Sequence, residues 1–173
     1  MWLGDATPER IAFVVRNMRK ADREEIFATR FYDPDDNDSL VSEILTHWGP
    51  LRWAVMVDDA PVVVIGATCL WPGCWAAWMF ATDDFRKCRI FSTKFVKTGM
   101  IPALHRLGAH RCEARSDASH VEAHNWLQAL GARKEATLRN YGRDGRDFVI
   151  FRWDRNDDVR QRPESTRQLR GGS

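Results

Sequence analysis

The sequence predicts a single α+β domain of three layers, a mostly antiparallel central sheet flanked by helices. Three observations lead there. The chain of 173 residues is long enough for one well-buried core and too short for two ordinary ones. Hydrophobic residues make up 44% and charged residues 29%, which excludes both a disordered polar chain and a membrane protein. The apolar period changes at Leu51, from helical spacing before it to strand alternation after it.

The elements follow in order. Trp2 and Leu3 can form a first strand. Thr7 then offers a capping hydroxyl and Pro8 a missing amide that costs nothing in a first turn, so a short helix runs to about Met18. Asp22 repeats the capping pattern, with Glu24 and Glu25 in a favourable first turn ahead of Ile26 and Phe27. Residues 31–39 hold a proline, four aspartates and an asparagine and predict a loop. Ser39 caps a third helix over residues 40–47, which Gly49 and Pro50 end.

Trp53, Val55 and Val57 alternate as a strand before the Asp58-Asp59 turn. Residues 62–69 are nearly continuous in hydrophobicity, as expected of a strand covered on both faces, and residues 75–81 form the next. A helix begins near Phe85 and reaches Arg106, bent at Gly99 or Pro102. Residues 110–115 are a short strand, Ser119 caps a helix that ends on Gly131, and residues 133–138 and 147–153 form a hairpin. The domain is thus expected over residues 1–153, with a polar, arginine-rich tail over 154–173.

This order, with AHNWLQALGARKE from Ala123 and the FVIFRW strand from Phe148, resembles the GNAT superfamily of acyl-CoA N-acyltransferases. A narrower set, NMRKADREEI from Asn17, WMFATDD from Trp78, SHVEAHNWLQALGA from Ser119 and RDGRDFVIF from Arg143, resembles the internal virion protein A family of short-tailed bacteriophages. The narrower resemblance implies a phage protein found in the host bacterial cytoplasm or the virion, with other virion or assembly proteins as partners. The broader one implies acetyl-CoA as cofactor.

An acetyltransferase must cradle the coenzyme A diphosphate on amides at a helix N-terminus, deprotonate an amine and return a proton to the leaving thiolate. The superfamily's R/Q-x-x-G-x-G/A loop falls on residues 85–92, so Arg86, Lys87, Arg89 and Ser92 become the cofactor-binding candidates. Lys87, Arg89 and Phe91 stand where the resemblance asks for glycines, and no glycine occurs between Gly73 and Gly99. The general-acid tyrosine that the superfamily carries in its last long helix aligns with Leu127. The remaining catalytic candidates are Glu113 as base, with Ser119, His120 or water as proton donor. Ordinary readings stand beside each: an edge-strand charge for Glu113 and helix capping for Ser119.

The other motifs are less specific. His120 and His124 stand four apart, a spacing that can bind zinc, but no third ligand is evident. Arg86, Lys87, Arg89, Lys94 and Lys97 form a basic helix start that could hold phosphates through side chains, offer weak nucleic-acid contact or simply be a solvated face, and with an overall formal charge of only +2 any such argument is local. The four cysteines carry no CxxC pair and are expected as reduced core thiols. Of the eight tryptophans, Trp71, Trp75, Trp78 and Trp126 are expected in the core, whereas Trp2, Trp48 and Trp71 lie near element ends, where an exposed indole anchors an interface. No apolar stretch is long enough to span a bilayer, and the N-terminus carries an acid where a secretory signal would carry an apolar core. The missing glycines and tyrosine favour a non-catalytic protein on an acetyltransferase fold, which the narrower resemblance implies is a phage protein, the active enzyme being the alternative.

Overall fold

A computed structural model describes residues 1–154. Strand β1 (Trp2–Asp5) precedes helices α1 (Pro8–Arg16), α2 (Lys20–Phe27) and α3 (Asn37–His47) and strands β2 (Leu51–Val57), β3 (Ala60–Trp71) and β4 (Cys74–Ala81). Helix α4 (Phe85–Phe95) passes through a π turn at Val96–Met100 into α5 (Ile101–Arg106). Strand β5 (Arg111–Asp117), helix α6 (Val121–Ala129) and the hairpin of β6 (Arg133–Leu138) and β7 (Phe148–Asp154) complete the order. Asp154, expected in the tail, instead closes β7 opposite Arg111. The tail expected beyond it lies outside the described residues.

Local chemistry sets the helix starts. Thr7 caps α1 as its sequence suggests, accepting from the Arg10 amide at 3.4 Å. The other three caps differ from expectation. Helix α2 starts at Lys20 with no side-chain cap, and Asp22 turns inward instead. Helix α3 starts at Asn37 because Asp36 accepts from the Ser39 amide at 3.0 Å. At α6, Asp117 accepts from both the amide and the hydroxyl of Ser119, at 2.8 and 2.6 Å, which leaves His120 as the N-cap. In the last two cases an ionised carboxylate displaces a serine hydroxyl because it is the stronger acceptor.

The described residues form one seven-stranded sheet in the order β1-β2-β3-β4-β5-β7-β6. Every neighbouring pair is antiparallel except β4 and β5. Helices α1 and α3 cover one face over Ile11, Val14, Leu40, Val64 and Phe80. Helices α4 and α5 cover the other over Val55, Val63, Cys88 and Leu104, and α6 packs beside them through Leu127 on Val149 and Phe151. The π turn comes just before Pro102, which has no amide to give to the helix. Both Val96 and Met100 of that turn line the interior cavity described below.

Two composition-based expectations need correction. Cys74, Cys88 and Cys112 are buried thiols, but Cys69 is exposed. Burial pushes the Cys112 thiol up to about 12, so it is protonated and unreactive at neutral pH. Trp71 is an exposed residue at the β3 end and not core, because β3 extends past the layers that could cover it. Trp2 is likewise exposed, under the Arg10 guanidinium, whereas Trp48 packs against Trp78 with centroids 4.7 Å apart.

Trp78 is seated by a glycine. A Cβ at Gly66 would lie 2.4 Å from Trp78 Cζ2 and 2.5 Å from the Leu51 carbonyl oxygen, so only glycine lets the indole cross the strand. Gly66→Ala should therefore lower stability by about 1–3 kcal/mol, the cost of overpacking, read as a lower urea midpoint at unchanged m-value.

Candidate functional site

The site begins with a fault in the sheet. Strands β4 and β5 pair only through Cys74–Arg111, Trp75–Cys112 and Ala76–Glu113, and then diverge. Divergence leaves backbone donors and acceptors on both facing edges, which must find partners or be hydrated. Ala81 turns its amide and carbonyl away from β3, and the alternation of an antiparallel ladder turns those of Met79 the same way, into the gap. By the same argument Asp117 and Arg115 present theirs from β5.

Helix α2 closes the far end of this gap. Asp22 Oδ2 accepts from the Ala81 amide at 2.9 Å, and the Arg19 amide donates to the Ala81 carbonyl at 2.9 Å. One turn later Glu25 Oε2 accepts from the Asp117 amide and the Ser116 hydroxyl, both at 2.8 Å, and lies 3.0 Å from His120 Nδ1. Two carboxylates of one helix thus stand in for the missing strand-to-strand bonds. Met79 and Arg115 keep edges without a strand partner.

Below the closure is a cavity of about 270 Å³. It runs through the sheet between Ile26, Trp78 and Tyr141 on the α2 side and Met100, Trp126 and Trp153 on the other. Its walls are mainly apolar, and its polar end holds Arg19, Asp22, Glu25, Ser116 and His120. A concave apolar space with a few convergent polar groups is the form of a small-molecule site.

The polar end is electrostatically coupled. The hydrogen bond to Glu25 holds the His120 pKa above that of ordinary imidazole. Burial raises the Asp22 pKa, opposed by Arg19, whose Nε lies 2.8 Å from Oδ2. Burial pushes Asp117 upward too, but the Ser119 hydroxyl and amide and the Arg146 guanidinium outweigh it and hold that carboxyl below its usual range. His120 is 9% exposed and its Nε2 has no hydrogen-bond partner.

The sequence-derived candidates fall into two groups that do not meet. Glu113 and His120 line the cavity. Glu113 sits inside the sheet and not on an edge strand, with one oxygen on Arg111 at 2.9 Å and the other on Arg115 at 3.0 Å, so both its lone-pair faces are occupied. Ser119 is spent on Asp117. Arg86, Lys87 and Arg89 are exposed at the start of α4, as are Lys94 and Lys97 farther along, and none of them touches the cavity. Ser92 is wholly buried within α4, out of reach of a phosphate at the helix start.

Two amides of the α4 start are already bonded within the chain. The Phe85 amide donates to the Thr82 carbonyl at 3.1 Å and the Lys87 amide to the Asp84 carbonyl at 2.9 Å. Asp83 and Asp84 precede the helix, and Lys87 Nζ lies 2.8 Å from Asp84 Oδ1. The residues present do not fit a diphosphate, which needs free amides and no competing carboxylates. Leu127, at the tyrosine position, is buried and apolar. Tyr141 does reach the cavity mouth, where its hydroxyl accepts from Arg115 at 3.0 Å, and Tyr32 donates to Glu43 at 2.6 Å.

Zinc has no place at the paired histidines. His120 turns to Glu25, while His124 Nε2 lies 2.9 Å from the Asp117 carbonyl and its ring tilts over Phe151. Among the described residues no cluster of three His, Cys, Asp or Glu is arranged for a metal ion. Sequence reasoning missed Asp22 and Glu25, which it spent on the start of a helix. Their spacing of three, beside Ile26 and Phe27, is the sign of an inward face.

Glu25→Ala removes one acceptor and strands three donors. It should cost about 2–4 kcal/mol in a denaturation experiment, whereas Glu25→Gln, which keeps an acceptor oxygen, should cost less.

No family model matches the chain, and no curated protein matches it. Solved structures do. Ard1 from Thermoplasma volcanium superimposes with a TM-score of 0.69 at 16% identity, covering 88% of this chain and 96% of that one. A GNAT-family acetyltransferase from Bacillus anthracis gives 0.65 at 9% identity, covering 88% and 93%. An acetyltransferase from Bacillus subtilis, solved in complex with CoA, gives 0.62 at 18% identity, covering 88% and 96%. At these identities the likeness is one of fold, and the fold is that of the GNAT acyl-CoA N-acyltransferases.

Proposed function

We propose that this chain uses the acetyltransferase fold without acyl transfer, as an interaction protein in assembly of a phage particle or of its ejection apparatus. The observation that carries the non-catalytic part is the α4 start, where the amides of Phe85 and Lys87 are bonded to the Thr82 and Asp84 carbonyls and two acidic residues, Asp83 and Asp84, immediately precede the helix. The closure of the gap by α2 supports it, because the Ala81 amide already belongs to Asp22. The phage role rests on the resemblance to internal virion protein A, with the host bacterial cytoplasm or the virion as its location and other virion proteins as partners. The exposed cations of α4 would contribute at most a weak contact with nucleic acid, recognised by its steep loss with salt.

One observation favours a second reading, an acetyl-CoA-dependent N-acetyltransferase. His120 is oriented by Glu25 and keeps Nε2 free at the polar end of the cavity, the arrangement of a group that takes a proton from an amine. The two readings part at the cofactor. Calorimetric titration of the full chain with acetyl-CoA should give no binding heat up to about 1 mM. A Kd of about 1 µM, with acetyl transfer to an added amine, establishes the enzyme. For the assembly role, the chain should co-purify with intact phage particles at fixed copy number by mass spectrometry.

A further inference from the structure

We propose that α2 is a proton-controlled latch on the gap between β4 and β5, held shut by Asp22 and Glu25 while His120 is an imidazolium and loosened when that ring loses its proton. The inference rests on the reading of α2 as the element that closes the cleft, and it adds that the closure is conditional.

The geometry gives the sign. Glu25 Oε2 is a carboxylate oxygen and can only accept, so His120 Nδ1, 3.0 Å away, must carry a proton in either charge state of the ring. The second proton is therefore the one on Nε2. That atom has no hydrogen-bond partner and stands 3.9 Å from Asp22 Oδ1. With Nε2 protonated, a donor faces a carboxylate. Without it, a lone pair faces a carboxylate, and the contact turns from attraction to repulsion.

The surroundings amplify the change. From α2, His120 is faced by Asp22 and Glu25, and from the segment before α2 by Arg19. Arg19 also reaches Glu122 of α6 at 3.7 Å and lies over the Phe85 ring of α4. From β5 the Asp117 carbonyl accepts from the His120 amide at 3.0 Å, while the Asp117 carboxylate is taken up by Arg146 of the β6–β7 loop at 3.0 Å. β4 contributes the Ala81 amide through Asp22 and no charge. With that pair set aside, Arg19 and His120 balance most of Asp22, Glu25 and Glu122. Loss of the His120 proton leaves three carboxylates around one guanidinium.

Linkage runs the same way. The hydrogen bond to Glu25 raises the His120 pKa, and burial raises that of Asp22, so the closed arrangement binds protons more tightly than an opened one. A raised pKa contributes stability that is complete below the free value and is lost as pH rises through the folded one. The latch is therefore tightest on the acid side of neutrality and weakens above the ordinary imidazole range.

The two amides under the latch report on it directly. Exchange protection of the Ala81 and Asp117 amides in the full-length protein, followed by NMR from about pH 5.5 to about 8.5, is compared with that of Val64 in the central strand β3. Protection factors divide out the intrinsic pH dependence. The ratio to Val64 should fall with rising pH, by up to about tenfold for each unit by which the folded His120 pKa exceeds its free value. His120→Gln should flatten the profile. Protection at both amides that equals Val64 at every pH overturns the latch, as does a His120→Gln profile with the wild-type midpoint. If that variant does not fold, the wild-type protein decides alone: the His120 ring nitrogens and the Ala81 amide must titrate with one shared midpoint, and separate midpoints overturn the proposal. The exchange experiment contains no ligand, so acetyl-CoA binding would sink the non-catalytic reading without touching this result.

Discussion

The structure turns on the junction of β4 and β5, the one parallel pair among the described residues in an otherwise antiparallel sheet. After three paired residues on each strand the chains part, and a sheet that parts must satisfy the edges it opens. Outer strands can turn those groups to solvent. In the middle of a sheet, with helices over both faces, protein, ligand or enclosed water must meet them. The position of α2, the burial of Asp22, the three donors gathered on one oxygen of Glu25 and the cavity between the strands are all consequences of that divergence.

Carboxylates suit this task because each oxygen accepts more than one hydrogen bond and needs no donor of its own. Burying them is costly unless their charge is met. Here Arg19 meets Asp22, Arg146 meets Asp117, and Arg111 and Arg115 together meet Glu113. Apolar side chains could have filled the same space with more stability but could not have capped the strand edges. The polar closure keeps the divergence of the strands defined, and it makes that region sensitive to proton occupancy in a way the helix-covered cores on either side are not.

Much of the architecture was legible in the sequence because it depends on local pattern. The alternation of Trp53, Val55 and Val57, the continuous run beginning at Val62 and the last hairpin each carry their own period, and each forms the element that the period implies. Helix starts were less legible because two acceptors compete within a few residues, and Asp36 and Asp117 win over Ser39 and Ser119. The site was read only in part. Glu113 and His120 could be named as a candidate base and a candidate proton donor, but nothing local marks Glu25 as the partner of an amide 92 residues away. That pairing is a property of the strand divergence, which no periodicity encodes.

The separation between fold and chemistry has a physical basis in where the core lies. Ile11, Leu40 and Phe80 on one face, and Val63, Cys88 and Leu104 on the other, are buried regardless of what occupies the gap. The orphan amides at the start of α4 must be satisfied in any case, and the helix does not distinguish a bound anion from a carbonyl of its own chain. Where Thr82 and Asp84 supply carbonyls to the Phe85 and Lys87 amides, those two donors are withdrawn from any anion with no loss of packing. The architecture therefore does not depend on a bound phosphate, because the contacts that hold the sheet and the contacts that would hold a cofactor are made by different atoms.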